Sequence, residues 1–314
     1  MKHRLFRSAG IGAVLMLTAI LAGCQQVVLF PKGEVGIKER DLIVFATVIM
    51  SLIVVPVIIA TLYFANKYRA NKDNEYLPDW HHSNKIEAAV WIIPCIVILI
   101  LGYVTWIKTH ELDPYRPLEH AAKPVQVEVV AMNWKWLFIY PEQGIASVNE
   151  LVVPVDRPLN FRITSGHTMN SFFIPALGGQ VYAMPGMQTK LHLIGNEIGA
   201  YEGISANYSG DGFAQMRFTT HVKNEADFEK WVSEVRTSDK ALNRAGYIEL
   251  DQPTEKHPVT HYASTEPGLF SAVIGRCVDG KTPCVSHGGG SVQKLSPFIT
   301  SSVKKESPAE PASN

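Results

Sequence analysis

The chain has 314 residues, room for one folded module plus further segments, and its 29 basic and 29 acidic side chains leave a formal net charge of zero. So even a balance supplies no overall field toward nucleic acid and excludes the strongly basic classes of binding protein. Apolar residues pile up in the first third and the rest has the mixed texture of a soluble domain, so the order along the chain is anchor first, globule second.

Residues 1–23 read as an export signal, with Lys2, His3, Arg4 and Arg7 as a basic start followed by an apolar stretch from Ala9 to Ala22. The ending Leu21-Ala22-Gly23-Cys24 resembles a bacterial lipobox, which implies cleavage before Cys24 and a diacylglyceryl chain on its thiol. After a short segment, 24–40, a first transmembrane helix is predicted over 41–65. The run 42–65 holds no charged residue, and at about 1.5 Å per residue it exceeds the roughly 30 Å hydrocarbon core. A loop, 66–87, leads to a second span over 88–107, where Trp91 and Trp106 stand near the ends like interfacial anchors. Pro56 and Pro94 each remove a backbone donor, a loss that kinks the helix or calls for packing against neighbouring helices. Lys67, Arg69, Lys72 and Lys85 favour the cytoplasmic side for the loop, although Lys32, Lys38 and Arg40 blunt the contrast. With an exported start, two crossings return everything after Ile107 to the periplasm. The expectation is a multi-pass lipoprotein of the bacterial inner membrane with its large C-terminal domain in the periplasm.

From Pro124 to Val222, segments of alternating or β-rich character recur between turn residues, at 125–131, 134–140, 150–154, 159–164, 171–175, 189–194 and 214–222. Such spacing predicts a β-sandwich or small barrel over 124–222. Asn224 stands three residues before Asp227, and Phe228, Trp231, Val232 and Val235 follow at helical spacing, which predicts a capped amphipathic helix. The helix opens a helical and irregular extension, 223–295, that ends in a polar, Pro-containing tail of disordered composition, 296–314.

An exported start, a two-helix hairpin and a β-domain holding Asn133-Trp134-Lys135-Trp136 and Asn170-Ser171-Phe172-Phe173-Ile174-Pro175 together resemble subunit II of the haem–copper oxidases, over about residues 25 to 225. The resemblance implies a membrane-anchored chain: a two-helix transmembrane hairpin, an all-β cupredoxin-like periplasmic domain and a C-terminal α-helical extension. Cytochrome c oxidases of that family hold a dinuclear copper centre on a His in a His-Ser-Phe/Trp segment and on a loop reading Cys-x-Glu-x-Cys-x-x-x-His-x-x-Met. Here Asn170 takes the place of the first His, and Ser205, Asn207, Ser209 and Phe213 take those of the Cys, Glu, Cys and His; Met216 alone is retained. Bridging thiolates are soft, readily deprotonated donors, whereas a serine hydroxyl stays protonated near neutral pH and a phenyl ring has no donor atom.

Loss of the ligands with retention of the scaffold, and the long C-terminal extension, resemble the bo-type ubiquinol oxidases, in which electrons come from a membrane quinol. That implies a structural and assembly-supporting subunit with no catalytic residue, metal or cofactor of its own. Haems, copper and ubiquinol are expected in the partner subunit I. The implied partners are subunit I, further small membrane subunits and the lipid bilayer, and neither nucleic acid nor cytochrome c. Two other readings stand beside it: a cytochrome c oxidase subunit with an atypical copper site, against which Ser205, Ser209 and Phe213 speak, and a lipoprotein sensor or assembly factor working outside any oxidase.

Glu87, at the mouth of the second span, matches a carboxylate that the family places near a proton-uptake entrance. With Asn84 it also forms the pattern of a capping box, and the two roles are compatible. Trp134 and Trp136 alternate along a predicted strand and read as core or subunit-contact residues on one face. His167 reads as a loop residue, and His81, His82, His257 and His261 as surface residues. Cys95 reads as a packing residue inside a membrane helix. Cys277 and Cys284 close a short loop, and in an oxidising compartment a disulfide is favoured over free thiols or a Cys/Cys/His287 metal site.

Overall fold

Two long helices precede all the sheet structure: α1 (Glu34–Lys67) and α2 (Asn84–Glu111). The computed structural model describes residues 27–69, 79 and 81–285, so the export signal, Cys24, residues 70–78 and 80 of the 66–87 loop, and residues 286–314 with the 296–314 tail lie outside the described residues. Both helices are long and apolar enough to cross a membrane. Leu52 and Leu99 remain 70% and 72% exposed, an aliphatic surface that water would not tolerate on this scale. The helices run beyond the predicted spans at both ends, because apolarity marks only the hydrocarbon portion while charged flanks such as Glu34, Lys38 and Lys108 also favour helix. Pro56 and Pro94 lie inside unbroken helices.

The start of α1 and the end of α2 meet at the same end of the hairpin. Lys38 there pairs with Glu34 at 2.9 Å and Glu111 at 3.5 Å, and Lys108 reaches Glu111 at 2.6 Å. The same end is fastened to the β-domain by backbone bonds. Lys32 N–H donates to Ala176 O (2.6 Å), Gly36 N–H to Leu177 O (3.0 Å) and Asn196 N–H to Lys32 O (2.9 Å). Beyond α2, His192 Nδ1 lies 2.8 Å from Pro114 O. The domain is therefore held at the start of one helix and just past the end of the other.

The seven predicted strand segments all carry strands: β1 (Val125–Met132), β2 (Lys135–Tyr140), β4 (Glu150–Pro154), β5 (Pro158–Ser165), β6 (Asn170–Phe173), β8 (Thr189–Ile194) and β10 (Arg217–Lys223). Three more complete the domain: β3 (Ile145–Val148), β7 (Val181–Ala183) and β9 (Gly199–Ser205). One sheet is ordered β3-β2-β1-β5-β8 and the other β4-β10-β9-β6-β7. β1 runs parallel to β5 and β10 parallel to β4, and the other pairings are antiparallel. This is the cupredoxin-like sandwich that the resemblance implies. Alternation sends Val125, Val127, Val129 and Ala131 inward, with Trp136 and Phe138 from the neighbouring strand. They meet Phe172, which stacks on Phe218 at 5.3 Å between ring centroids and packs edge-on against Trp136 at 5.3 Å. Burying each such ring contributes about 1.5–3 kcal/mol.

Helix α3 (Glu225–Arg236) begins where Asn224 Oδ1 accepts the Asp227 N–H at 2.8 Å, and it buries Phe228, Trp231, Val232 and Val235 against the sandwich. Beyond it the extension is more ordered than its sequence suggests. It contains β11 (Ala241–Leu242), α4 (Arg244–Leu250), β12 (Thr260–Tyr262), β13 (Ser264–Thr265) and α5 (Leu269–Ile274). β12 joins the first sheet beside β3, and β11 pairs with β13, so the extension carries short strands beside its helices. Leu242, Tyr247, Leu250, Phe270 and Val273 cover the outer face of the first sheet against Val130, Leu137 and Ile139. With a core on each face, every residue of β2 is buried.

Candidate functional site

Asn170 opens β6 and Ser205 closes β9, on neighbouring strands of one sheet, so two residues 35 apart in sequence face each other. Both are buried, and the Ser205 hydroxyl donates to Asn170 Oδ1 at 3.0 Å. Asn170 Nδ2 donates to Thr168 O (2.8 Å), and Asn207 Nδ2 donates to Met169 O (3.0 Å). Backbone bonds close the arrangement: Ala206 N–H to Ser171 O (3.0 Å) and Ser205 N–H to Met216 O (3.2 Å). Phe213 lies in a short 3-10 helix, Asp211–Gln215, and packs edge-on against Tyr208 at 5.5 Å; Met216 is buried behind it. The structure thus gathers the positions that match the family's ligand segment and loop, and knits them together with amide and hydroxyl hydrogen bonds.

Trp134 organises the same loop from the side. It sits in the turn between β1 and β2 with φ of 61°, a left-handed conformation uncommon for a bulky residue. The expectation that Trp134 and Trp136 alternate along one strand is corrected: only Trp136 is in a strand, and Trp134 reaches the same core cluster through the turn. Its indole Nε1 donates to Ser209 O at 3.0 Å, and its ring lies so close over Gly212 that a Cβ there would overlap it.

A family model described as cytochrome c oxidase subunit II, periplasmic domain, matches residues 106–222, and one described as the COX aromatic rich motif matches 236–281. The cytochrome bo(3) ubiquinol oxidase subunit 2 of Pseudomonas putida is 57% identical over 258 residues, which cover 82% of this chain and 82% of that one. Its counterpart in Pseudomonas aeruginosa is 55% identical, covering 81% of this chain and 77% of that one. The ubiquinol oxidase subunit 2 of Acetobacter aceti is 50% identical, covering 89% and 92%. The chain belongs to the cytochrome bo(3) ubiquinol oxidase subunit 2 family. In this chain the side chains at the positions that match the family's ligand pattern do not fit a dinuclear copper centre. The Asn170 amide and the Ser205 hydroxyl bond each other and Asn170 bonds backbone, Asn207 Nδ2 bonds backbone carbonyls, and none of the three is a thiolate or an imidazole.

The other residues singled out in the sequence fall partly as read and partly elsewhere. The capping box expected of Asn84 and Glu87 does not form: Ser83 is the N-cap, without a side-chain cap bond, and Glu87 lies exposed in the first turn, 3.4 Å from His82 Nδ1. His81 and His82 are exposed. His261 is half-buried, its Nε2 2.7 Å from Glu150 Oε2, which also accepts the Trp231 indole N–H at 3.2 Å. His257 is half-buried as well. His167 is in a loop, its Nε2 2.5 Å from Asp251 Oδ2. Cys277 and Cys284 are disulfide-bonded, and Cys95 is exposed on α2.

The residue missed most completely by sequence reasoning is Lys135. It is fully buried, and its ammonium donates to Leu250 O (2.7 Å), Gln252 O (2.7 Å) and Thr254 Oγ1 (3.2 Å), while Asn133 Nδ2 donates to Asp251 O (3.1 Å). Burial pulls the Lys135 ammonium below the ordinary lysine pKa, and nearby Asp251 partly opposes it. The one available signal was a lysine flanked by two tryptophans at the head of an apolar strand. The turn 133–135 therefore grips the ligand-loop segment with Trp134 and the C-terminal extension with Asn133 and Lys135.

Proposed function

We propose that the chain is the subunit 2 of a proton-pumping ubiquinol oxidase, a structural and assembly-supporting subunit with no redox centre and no catalytic residue of its own. Electrons then come from quinol to subunit I, where haems, copper and oxygen reduction reside, and cytochrome c is not a partner. The observation that carries this reading is the hydrogen-bonded pair of Asn170 and Ser205 with Asn207 and Phe213 beside it, a loop built of amides, hydroxyls and packed rings where an electron-accepting member needs thiolates and imidazoles. The chain's own contribution is rigid support: α1 and α2 anchor, and the bonds of Lys32, Gly36 and Asn196 fix the sandwich over them. Acylation of Cys24, a periplasmic position for the sandwich, further small membrane subunits, and Glu87 at a proton entrance belong to the same proposal. Glu87 is exposed at the start of α2, where an ionisable group can exchange protons with water. The test is purification of the complex in mild detergent. Oxygen consumption driven by ubiquinol and not by reduced cytochrome c, with a stoichiometric haem-bearing partner, is expected. Turnover driven by cytochrome c, or a chain isolated without any haem-bearing partner, would overturn the proposal.

A further inference from the structure

The sandwich rests on the first turns of α1 through residues 176–179, in the connection between β6 and β7, whose carbonyls at Ala176 and Leu177 accept the N–H groups of Lys32 and Gly36. Two glycines bring this loop close. A Cβ on Gly178 would stand 2.7 Å from Leu193 Cδ2 and 3.2 Å from Val35 Cγ1, and one on Gly179 would stand 2.7 Å from Glu39 Oε1. The Gly179 N–H donates to the Glu39 carboxylate. Glu39 lies in the charged flank of α1, ahead of the predicted span over 41–65, and is half-buried in this joint.

The carboxylate has no countercharge among the described residues. Its neighbours on α1 turn elsewhere, Lys38 to Glu34 and Glu111, and Arg40 to Asp41. Lys32, just ahead of α1, pairs with Glu197 at 2.6 Å. At the end of α2, Lys108 pairs with Glu111 and His110 Nδ1 lies 2.7 Å from Trp106 O. Residues 176–179 carry no ionisable side chain, and on β8 Lys190 is exposed while His192 faces Pro114 O. An ionised carboxylate can accept about four hydrogen bonds, and here a single backbone N–H answers it. Burial therefore holds the Glu39 carboxyl above the ordinary carboxylate range, and the Gly179 N–H opposes it only in part.

We propose that the joint between α1 and the sandwich is a proton-dependent latch, closed most firmly when Glu39 carries a proton and opening more often when the same contact must hold an unpaired charge. Opening returns the carboxylate to water, so the closed joint binds the proton more tightly than the open one. The extra stability is fully present below the ordinary carboxylate range and is lost as pH rises through the raised value of Glu39. Glu111 acts with the opposite sign: Lys108 and Lys38 hold it below the ordinary range, so its contribution is lost as pH falls. Combined with the respiratory reading, the latch means that protons released on this face tighten the joint, but the latch itself does not rest on that reading.

The test is hydrogen exchange on the full chain in detergent from about pH 4.5 to about pH 8, corrected for the intrinsic pH dependence of exchange. Protection of the Gly36 and Gly179 amides, taken relative to those of β1, should fall at least about threefold as pH rises across that range. In Glu39→Gln, whose side-chain oxygen can still accept the Gly179 N–H and which never ionises, protection should stay level. Glu39→Met, neutral and of similar length, should be level as well. Wild-type protection that is flat or that rises with pH, or a fall that persists in both neutral variants, would overturn the proposal.

Discussion

Replacing Lys135 by Met tests whether one buried ammonium fastens the C-terminal extension to the sandwich. Methionine keeps most of the side chain's length and removes the donor, so the carbonyls of Leu250 and Gln252 lose partners at 2.7 Å. Hydrogen bonds to a charged group contribute about 1.5–3 kcal/mol each, or about 3–6 kcal/mol for the pair. Against this stands the cost of burying the ammonium, visible in its depressed pKa, which methionine escapes. A net loosening of about 2–3 kcal/mol remains, equivalent to about 30- to 160-fold in an opening equilibrium. Hydrogen exchange on the full chain in detergent reads this directly. Amides of α4 and its following turn, such as Tyr247 N–H on Asn243 O and Asp251 N–H on Tyr247 O, should exchange faster by that factor, while β1 and β5 stay protected. Unchanged exchange in α4, or equal acceleration in the sandwich strands, would refute the idea of a local clamp.

Gly212→Ala should cost about 1–3 kcal/mol in denaturant unfolding and alter tryptophan fluorescence, because its methyl group overlaps the Trp134 ring; an unaltered midpoint would mean that the loop does not rest on Trp134. Intact-mass measurement should find a mature chain that begins at an acylated Cys24, and residues 1–23 still attached would refute the lipobox reading. Cys24→Ala should stay in the membrane fraction, held by α1 and α2. Glu87→Ala should slow turnover of the assembled complex more than it lowers complex yield, because a first-turn acid stabilises a helix by only about 0.3–1 kcal/mol. Full oxygen consumption by that variant would leave Glu87 with its helix role alone.

Elements that depend on local pattern were legible in the sequence. Uncharged length marked α1 and α2, alternation marked β1 and β5, and the Asn224–Asp227 pair marked the start of α3. β7 and β9 escaped because one is three residues long and the other carries Gly199 and Gly203, so neither shows a β-rich run. The extension past Asp239 escaped for a different reason. Its apolar residues sit in elements of two to seven residues, too short for a period, and they become a core only against the outer face of β2. At the site, the replaced ligands could be read from the family pattern, but the Ser205–Asn170 bond spans 35 residues and is set by strand pairing that no local signal encodes. Trp134 looked like a strand residue because the run around it is apolar, and the turn that lifts it out appears only in its positive φ.

The most direct test of a subunit without a redox centre is to add copper to the purified full chain and record its absorption and its bound metal. The combined changes Asn170→His, Ser205→Cys, Asn207→Glu, Ser209→Cys and Phe213→His around Met216 supply the comparison, since they restore the thiolates and imidazoles of a dinuclear site. The unmodified chain is expected to show no thiolate-to-copper absorption and no tightly bound copper. Stoichiometric, tightly held copper in the unmodified chain, with the spectrum of a mixed-valence pair, would contradict the assignment and restore the cytochrome c reading.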